Sequence, residues 1–535
     1  MDRKKTISLY IFLVIICFFA LFYNIGTYPL LDIDETRYAD MAKEMFHTKD
    51  FLTLYLNGEF FFEKPPLYFW LECCSFKLTQ TISELTIRMP IVLLSLLPVV
   101  FLVLLCRKVK NDKFAIISSA TLFTSLEYLF MTKIAILDSV LTSFVTTSVF
   151  CYFATFFVEQ QNKKYFWILT YIFAALAVLA KGIPGIVIPM CVILISTILY
   201  KTYKETLKYS FGIIIFLAIT LPWHIIMLKM HGNLFFDEYI IKHHLLRFLG
   251  SDVIHKNQPW YFYILTILWG LFPHIFVLLA KLTKFQKFEF DIKTDSYSKF
   301  ITLNIISAVS ILIFFSISGA KLITYILPIY PFLAVIIGAI WLKYIDSDDK
   351  TTNIALTVLN TILSISIIVL SCIKFLMPQD VYLYFHSIQV IGLLIFIPFV
   401  LLNWVFLYKQ KRLSIFLSLT MFMALLSAFL TPCVYKFNYS FGQNDLMRYA
   451  KFAKENNYTI STYLTGFKYS LLYYGDKSEI KFQRDEDIKW LKAELNKENN
   501  IVIIRNKSLA KLPIQVKVKE KGVKFSIIEK VKNNE

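Results

Sequence analysis

Residues 4–26 read KKTISLYIFLVIICFFALFYNIG, two lysines followed by an apolar run, and the next charged residue is Asp32. About 20 apolar residues make a helix long enough to cross the ~30 Å hydrocarbon core of a bilayer. No small-residue cleavage site follows the basic start, so the segment reads as an uncleaved anchor rather than a signal peptide. The pattern recurs at approximately 88–106, 114–131, 134–157, 165–180, 184–200, 209–228, 260–280, 300–317, 323–342, 353–373, 384–408 and 413–435. Thirteen spans are therefore expected. Composition agrees: of 535 residues, 57% are hydrophobic and only 18% charged, against roughly 25% charge in soluble domains. Such a chain cannot hide its apolar side chains in one soluble core. Disorder, collagen and a small disulfide scaffold are excluded on the same numbers.

The net charge of +18 would suggest nucleic acid in a soluble protein. Here the basic residues lie mostly in short stretches between apolar runs. With the N-terminus inside, the inner segments carry 22 Lys and Arg, including Arg107, Lys108, Lys110 and Lys113, then Lys281, Lys284, Lys287, Lys293 and Lys299. The short outer loops carry four, Lys133, Lys181, Lys321 and Lys374. That asymmetry fixes the orientation and makes nucleic acid an unneeded partner. An odd number of spans then places the C-terminus outside. The eight cysteines form no spaced pair of the kind that builds a thiolate zinc site.

Two outer loops are long, about 24–87 and 229–259. After residue 436 the composition turns polar, with helix-like LMRYAKFAKEN (446–456) and strand-like TISTYL (459–464), NIVIIR (500–505) and GVKFSIIE (522–529). The expected fold class is an all-α polytopic membrane protein with about 13 transmembrane helices and interfacial helices, residues 1–436. A soluble α/β domain, 437–535, follows.

Chemistry-bearing residues gather at the outer ends. In LDIDETRYADMAKEMF (31–46), Asp34 is placed to cap a helix whose first turn holds Glu35 and Arg37. Tyr38, Met41, Ala42 and Phe46 form an apolar stripe suited to the membrane surface. In FFFEKPPLYFW (60–70), Pro65 and Pro66 stiffen a turn that carries Glu63 and Lys64, a pair suited to phosphate or metal. His244 and Arg247 fall on one helical face, with His255 following. Lys181 and Lys321 defy the inside bias, and a bound anion such as a lipid phosphate would explain a cation at the outer membrane edge. Asp138 opens the span at 134–157. Together these suggest one outer-face cavity, with carboxylates for sugar hydroxyls and acceptor and cations for a phosphate leaving group. No Gly-rich nucleotide loop is visible, so no nucleotide cofactor is expected.

Asp-Glu-Thr-Arg-Tyr (34–38), Glu-Lys-Pro-Pro-Leu (63–67), Leu-Asp-Ser (137–139), Lys-Gly (181–182) and Lys-Leu-Ile-Thr-Tyr-Ile-Leu-Pro (321–328) resemble the aminoarabinose lipid A transferase family. That family stands with the protein O-mannosyltransferases among GT-C type glycosyltransferases. The resemblance implies a multi-pass protein of the bacterial inner membrane with its active site on the periplasmic face. It implies transfer of a sugar, 4-amino-4-deoxy-L-arabinose first, from an undecaprenyl-phosphate donor to lipid A, with inversion. It implies Asp34 as the essential carboxylate and Arg37, Lys64, Arg247 and Tyr325 at the carrier phosphate; their positions add Glu35 beside Asp34 and Lys321 beside the phosphate. Tyr38, Asp138, Lys181 and His255 would meet sugar or acceptor, and Glu63 with His244 would hold a divalent metal ion. The family's glutamate–histidine pair reads here as Lys242–His243 or His243–His244, and the three-residue step to Arg247 favours His244.

Two other readings stand beside this one. A protein O-glycosyltransferase of the same architecture would act on a Ser or Thr hydroxyl, which needs a base more than a phosphate does. A transporter would place its ionisable residues near mid-membrane on broken helices; here they lie at outer ends. No oligosaccharyltransferase WWD motif occurs.

Overall fold

The computed structural model describes residues 3–249, 258–282, 295–347, 349–377, 379–476 and 479–531. Among these residues, nine helices are long and apolar enough to cross a bilayer, and a tenth counts if Phe262–Gly270 and Ile275–Leu282, bent by 120°, form one span. Thr6–Phe22 and Pro184–Tyr200 are apolar but shorter. Ser83 and Thr86 close a capping box at the head of Glu84–Val109, and the side chains of Asn111, Asp295 and Asp349 cap three later helices.

The span expected at 114–131 is two helices, Asp112–Phe123 and Leu126–Met131. Its break packs against the break at Phe272–Pro273, and each relieves the other. Leu126 N–H donates to the Phe272 carbonyl at 3.1 Å. Trp341 Nε1 donates to His274 Nδ1 at 3.2 Å, and His274 Nε2 lies 2.8 Å from Thr124 Oγ1. An indole N–H can only donate, so Nδ1 accepts and Nε2 carries the proton towards Thr124. Backbone groups freed inside an apolar bundle need such partners.

Loop 24–87 folds into helix Asp34–Thr48, a hairpin of β1 (Tyr55–Leu56) and β2 (Glu59–Phe60), and helix Leu67–Thr79. The cap position of the first helix is Ile33, and Asp34 stands in its first turn instead. The stripe Tyr38, Met41, Ala42 is buried in protein rather than laid on lipid, with the Tyr38 ring edge-on to Tyr68 at 6.2 Å and to Phe69 at 6.0 Å. Most of the second expected loop is helical. Gly212–Phe235 continues as a π-helix, Phe236–Leu246, and a further turn, Arg247–Leu249. The change of direction falls at Gly232, whose φ of 53° and ψ of −130° suit only glycine.

The helix expected to end at 435 runs through Arg412–Phe441, so the domain boundary lies at Gly442 (φ 80°), and helix Gln443–Glu455 follows. The domain's sheet contains β3 (Thr459–Tyr463), β4 (Lys481–Gln483), β5 (Asn500–Arg505), β6 (Val516–Lys521) and β7 (Phe525–Lys530), in the order β4-β3-β5-β7-β6. β3 pairs parallel with β4 and β5, whereas β7 runs antiparallel to β5 and β6. The edge strands β4 and β6 were not expected. β6 reads VKVKEK and is charged, as edges exposed to solvent tend to be. The three central strands carry the buried Ile460, Val502, Ile503 and Ile527.

Candidate functional site

Where helices Leu137–Ala154, Lys163–Lys181 and Ser296–Ile317 end beside the π-helix, a cavity of about 580 Å³ opens. Its lining includes the basic side chains of Lys64, Lys181 and Arg247 and the imidazoles of His243 and His244. The walls are apolar and include Leu141, Ile183, Val187, Phe248, Phe314 and Phe315. Tyr325 lies against two of the cations: Arg247 donates to its hydroxyl at 2.7 Å, and Lys181 Nζ lies 4.4 Å from its ring centroid. Lys181 is also ion-paired with Asp138. Cations crowded beside an apolar channel fit an amphiphile with an anionic head.

Burial and the repulsion of Arg247, Lys181 and Arg37 push the Lys64 ammonium down to about 7, against the pull of Glu63. Burial acts to raise the Glu63 carboxyl. The charges of Lys64, His243, Arg37 and Arg247 outweigh it and hold Glu63 below the usual carboxylate range. An anion bound beside Lys64 would favour its charged form.

Outside the cavity lining, Arg37 pairs with the half-exposed Asp34 at 2.6 Å and donates to the Tyr38 hydroxyl at 3.0 Å. Asp34 lies within electrostatic range of Lys181 and Tyr325. A free-facing carboxylate beside a cationic pocket can stabilise a developing positive charge or accept a proton.

Glu35, expected beside Asp34 in catalysis, has a different place. It is 1% exposed and takes Arg88 Nε at 2.8 Å and Nη2 at 2.7 Å. The backbone N–H groups of Leu31 and Ala135 also donate to it, at 2.8 and 2.7 Å. Both oxygens are occupied, and none is left for a substrate. Arg88, which the sequence reading passed over, further binds the carbonyls of Ile25, Tyr28 and Pro29 at 2.7–2.9 Å. The pair anchors the loop that presents Asp34.

Lys321 also departs from expectation. It is buried and donates to the Ser318 carbonyl at 2.7 Å, outside the cavity lining. The histidine that meets Glu63 is His243, with Nδ1 3.8 Å away, whereas His244 Nδ1 contacts the Tyr239 carbonyl at 2.5 Å. His244 Nε2 sits against Gly182, where a Cβ would approach to 2.1 Å. His243 Nε2 faces Glu238 at 3.4 Å. Two carboxylates on opposite ring nitrogens cannot share one ion, and among the described residues no three His, Cys, Asp or Glu side chains converge to hold a metal. The expected metal pair Glu63–His244 does not fit. His255 lies outside the described residues.

The sequence reading also missed Tyr469, whose ring in the C-terminal domain lies 5.7 Å from the Arg37 guanidinium. No motif signals it, since nothing local ties residue 469 to residue 37. The apolar walls were equally hidden among many similar Phe, Ile and Leu residues.

A family model described as dolichyl-phosphate-mannose-protein mannosyltransferase matches residues 7–236. A relative in Proteus mirabilis (strain HI4320), undecaprenyl phosphate-alpha-4-amino-4-deoxy-L-arabinose arabinosyl transferase 1, is 27% identical over 343 residues, 63% of this chain and 59% of that one. An uncharacterized protein from Aquifex aeolicus (strain VF5) is 28% identical over 360 residues, 65% of this chain and 67% of that one. The crystal structure of ArnT from Cupriavidus metallidurans bound to undecaprenyl phosphate superposes with a TM-score of 0.79 at 16% identity, covering 99% of this chain and 98% of that chain. The chain has that fold, a bundle of membrane helices with a small C-terminal sheet domain.

Proposed function

We propose that this protein is an inner-membrane glycosyltransferase that moves a sugar from an undecaprenyl-phosphate donor to lipid A or a related acceptor at the periplasmic face. The leading sugar is 4-amino-4-deoxy-L-arabinose, the one carried in the relatives' names. The observation that carries the reading is the cavity itself: Lys64, Lys181 and Arg247 in a lining that is otherwise largely apolar, with Asp34 close enough for its charge to act on Lys181.

The carrier phosphate sits on Lys64 and Arg247, with the Tyr325 hydroxyl as a further partner, and the polyprenyl chain runs along Ile183, Val187, Phe248 and Phe314. Asp138 and Lys181 face the sugar, with Tyr38 and Arg37 closing its far side. An oxygen of the acceptor forms a bond to the sugar's anomeric carbon as the bond from that carbon to the donor phosphate breaks, and undecaprenyl phosphate leaves with the bonding pair. The cations stabilise the negative charge that builds on the leaving phosphate. Asp34 stabilises the positive charge that builds on the sugar. A phosphate acceptor is already ionised at neutral pH and needs no base, so Asp34 acts by charge and position.

Mass spectrometry of lipid A and of periplasmic glycoproteins, with and without the protein, tests the reading. A pentose-sized addition on lipid A is expected. A sugar appearing only on proteins would favour the O-glycosyltransferase, and no change in either would sink both. A reporter fused after Glu535 should be active only in the periplasm, and cytoplasmic activity would reject the proposed orientation.

A further inference from the structure

Helix Tyr469–Gly475 of the C-terminal domain lies along helix Asp34–Thr48. Their contact centres on Asp32, two residues before Asp34. The Asp32 carboxyl accepts the Ser470 hydroxyl at 2.8 Å and the Ser470 N–H at 3.1 Å, and its first oxygen also takes the Thr36 hydroxyl at 2.5 Å. Gln443 donates to the Leu30 carbonyl at 2.5 Å, and Leu30 N–H donates to the Tyr474 hydroxyl at 2.9 Å. Further along, Lys43 pairs with Asp476 and donates to the Tyr473 carbonyl at 3.1 Å.

The same domain holds the other arm of loop 24–87. Asn57 Oδ1 accepts the Ile480 N–H at 2.7 Å. Gly58, at φ +79°, approaches Glu479 so closely that a Cβ would lie 2.5 Å from its carboxylate. One arm carries Asp34 and Arg37. The other leads within a few residues to Glu63 and Lys64. The two arms meet at the site, where Arg37 and Glu63 feel each other's charge.

We infer that the C-terminal domain is a clamp that sets the spacing between the Asp34–Arg37 arm and the Glu63–Lys64 arm, with Asp32, Ser470 and Asn57 as positioning residues. The inference rests on the glycosyltransferase reading above. None of the three lines the cavity. They act on the reaction through backbone position, and misplacement of a reacting group by about 1 Å costs up to roughly a hundredfold in rate.

The experiment uses the full chain in detergent or nanodiscs, as wild type, Ser470→Ala, Ser470→Thr, Asp32→Asn and Asn57→Ala. Undecaprenyl-phosphate affinity, kcat, KM for donor and for acceptor, and amide hydrogen exchange over residues 32–38 and 60–66 are measured together. The clamp predicts that Ser470→Ala, Asp32→Asn and Asn57→Ala lower kcat roughly tenfold or more. Carrier affinity should fall less than kcat, because Arg247 and Tyr325 keep their places, exchange in both arms should rise, and Ser470→Thr should restore kcat and exchange. Unchanged kcat and unchanged exchange overturn it, as does a lower melting temperature with kcat intact. A rise in acceptor KM alone overturns it in favour of a domain that binds the acceptor. If wild type turns over no donor, the glycosyltransferase reading falls by itself, and exchange in the two arms still decides whether the clamp exists.

Discussion

Two arginine–carboxylate pairs share the first turn of one helix and serve opposite purposes. On its exposed side, Asp34 meets Arg37 at 2.6 Å with the aspartate half-exposed. On its buried side, Glu35 meets Arg88 of another helix, with both side chains fully buried. The exposed pair is local, three residues apart along one helix, and water screens it, so it contributes little to stability. The buried pair joins segments 53 residues apart and is completed by backbone donors and carbonyls. Neighbours in sequence thus divide the work: one charge is kept available, and the other is spent holding it in place.

The largest effect should come from the buried pair. Arg88→Met leaves Glu35 without its partner, and such losses cost about 3–5 kcal/mol. The variant should accumulate poorly or melt far below wild type in a thermal unfolding assay. Wild-type melting would show that Glu35 is not an anchor and reopen its catalytic assignment. Asp34→Asn should do the reverse, with normal accumulation and melting but transfer reduced about a hundredfold or more, the scale seen when a group stabilising transition-state charge is removed. Near-normal turnover by purified Asp34→Asn protein would remove Asp34 from the chemistry.

Smaller effects are expected inside the cavity. Arg247→Ala removes a charge-assisted contact worth about 1.5–3 kcal/mol, so carrier-phosphate binding should weaken roughly ten- to a hundredfold. Equal affinity in a direct binding measurement would move the phosphate elsewhere. The pH dependence should be the mildest signal. The Lys64 ammonium is pushed down to about 7, so it is charged below that pH and neutral above it. Carrier affinity should therefore fall several-fold as pH rises from about 6 to 8, and Lys64→Arg should flatten the profile, since a guanidinium stays charged throughout. A profile unchanged by that substitution would show that another group titrates.

Much was determined by sequence alone. Runs of apolar residues near 20 long mark spans because the bilayer imposes a length. The polar tail with its short β-branched runs announced a separate α/β domain. Asp34, Arg37, Lys64, Asp138, Lys181 and Arg247 stood out as charged groups near the outer ends of the spans, and Tyr325 through the resemblance; Lys64, Lys181, Arg247 and Tyr325 line one cavity, and Asp138 is paired with Lys181. Tertiary structure alone decided the rest. Whether Glu35 or Asp34 faces solvent depends on where Arg88 arrives, and whether His243 or His244 meets Glu63 depends on the winding of the π-helix that carries both. Lys321 satisfies itself on a nearby carbonyl, which no count of charges could reveal. Asp32 looked like one more acidic loop residue until Ser470, over four hundred positions away, was found on it. Length and charge are properties of a segment and can be summed along it. Partnership is a property of two segments, fixed only when packing brings their ends together.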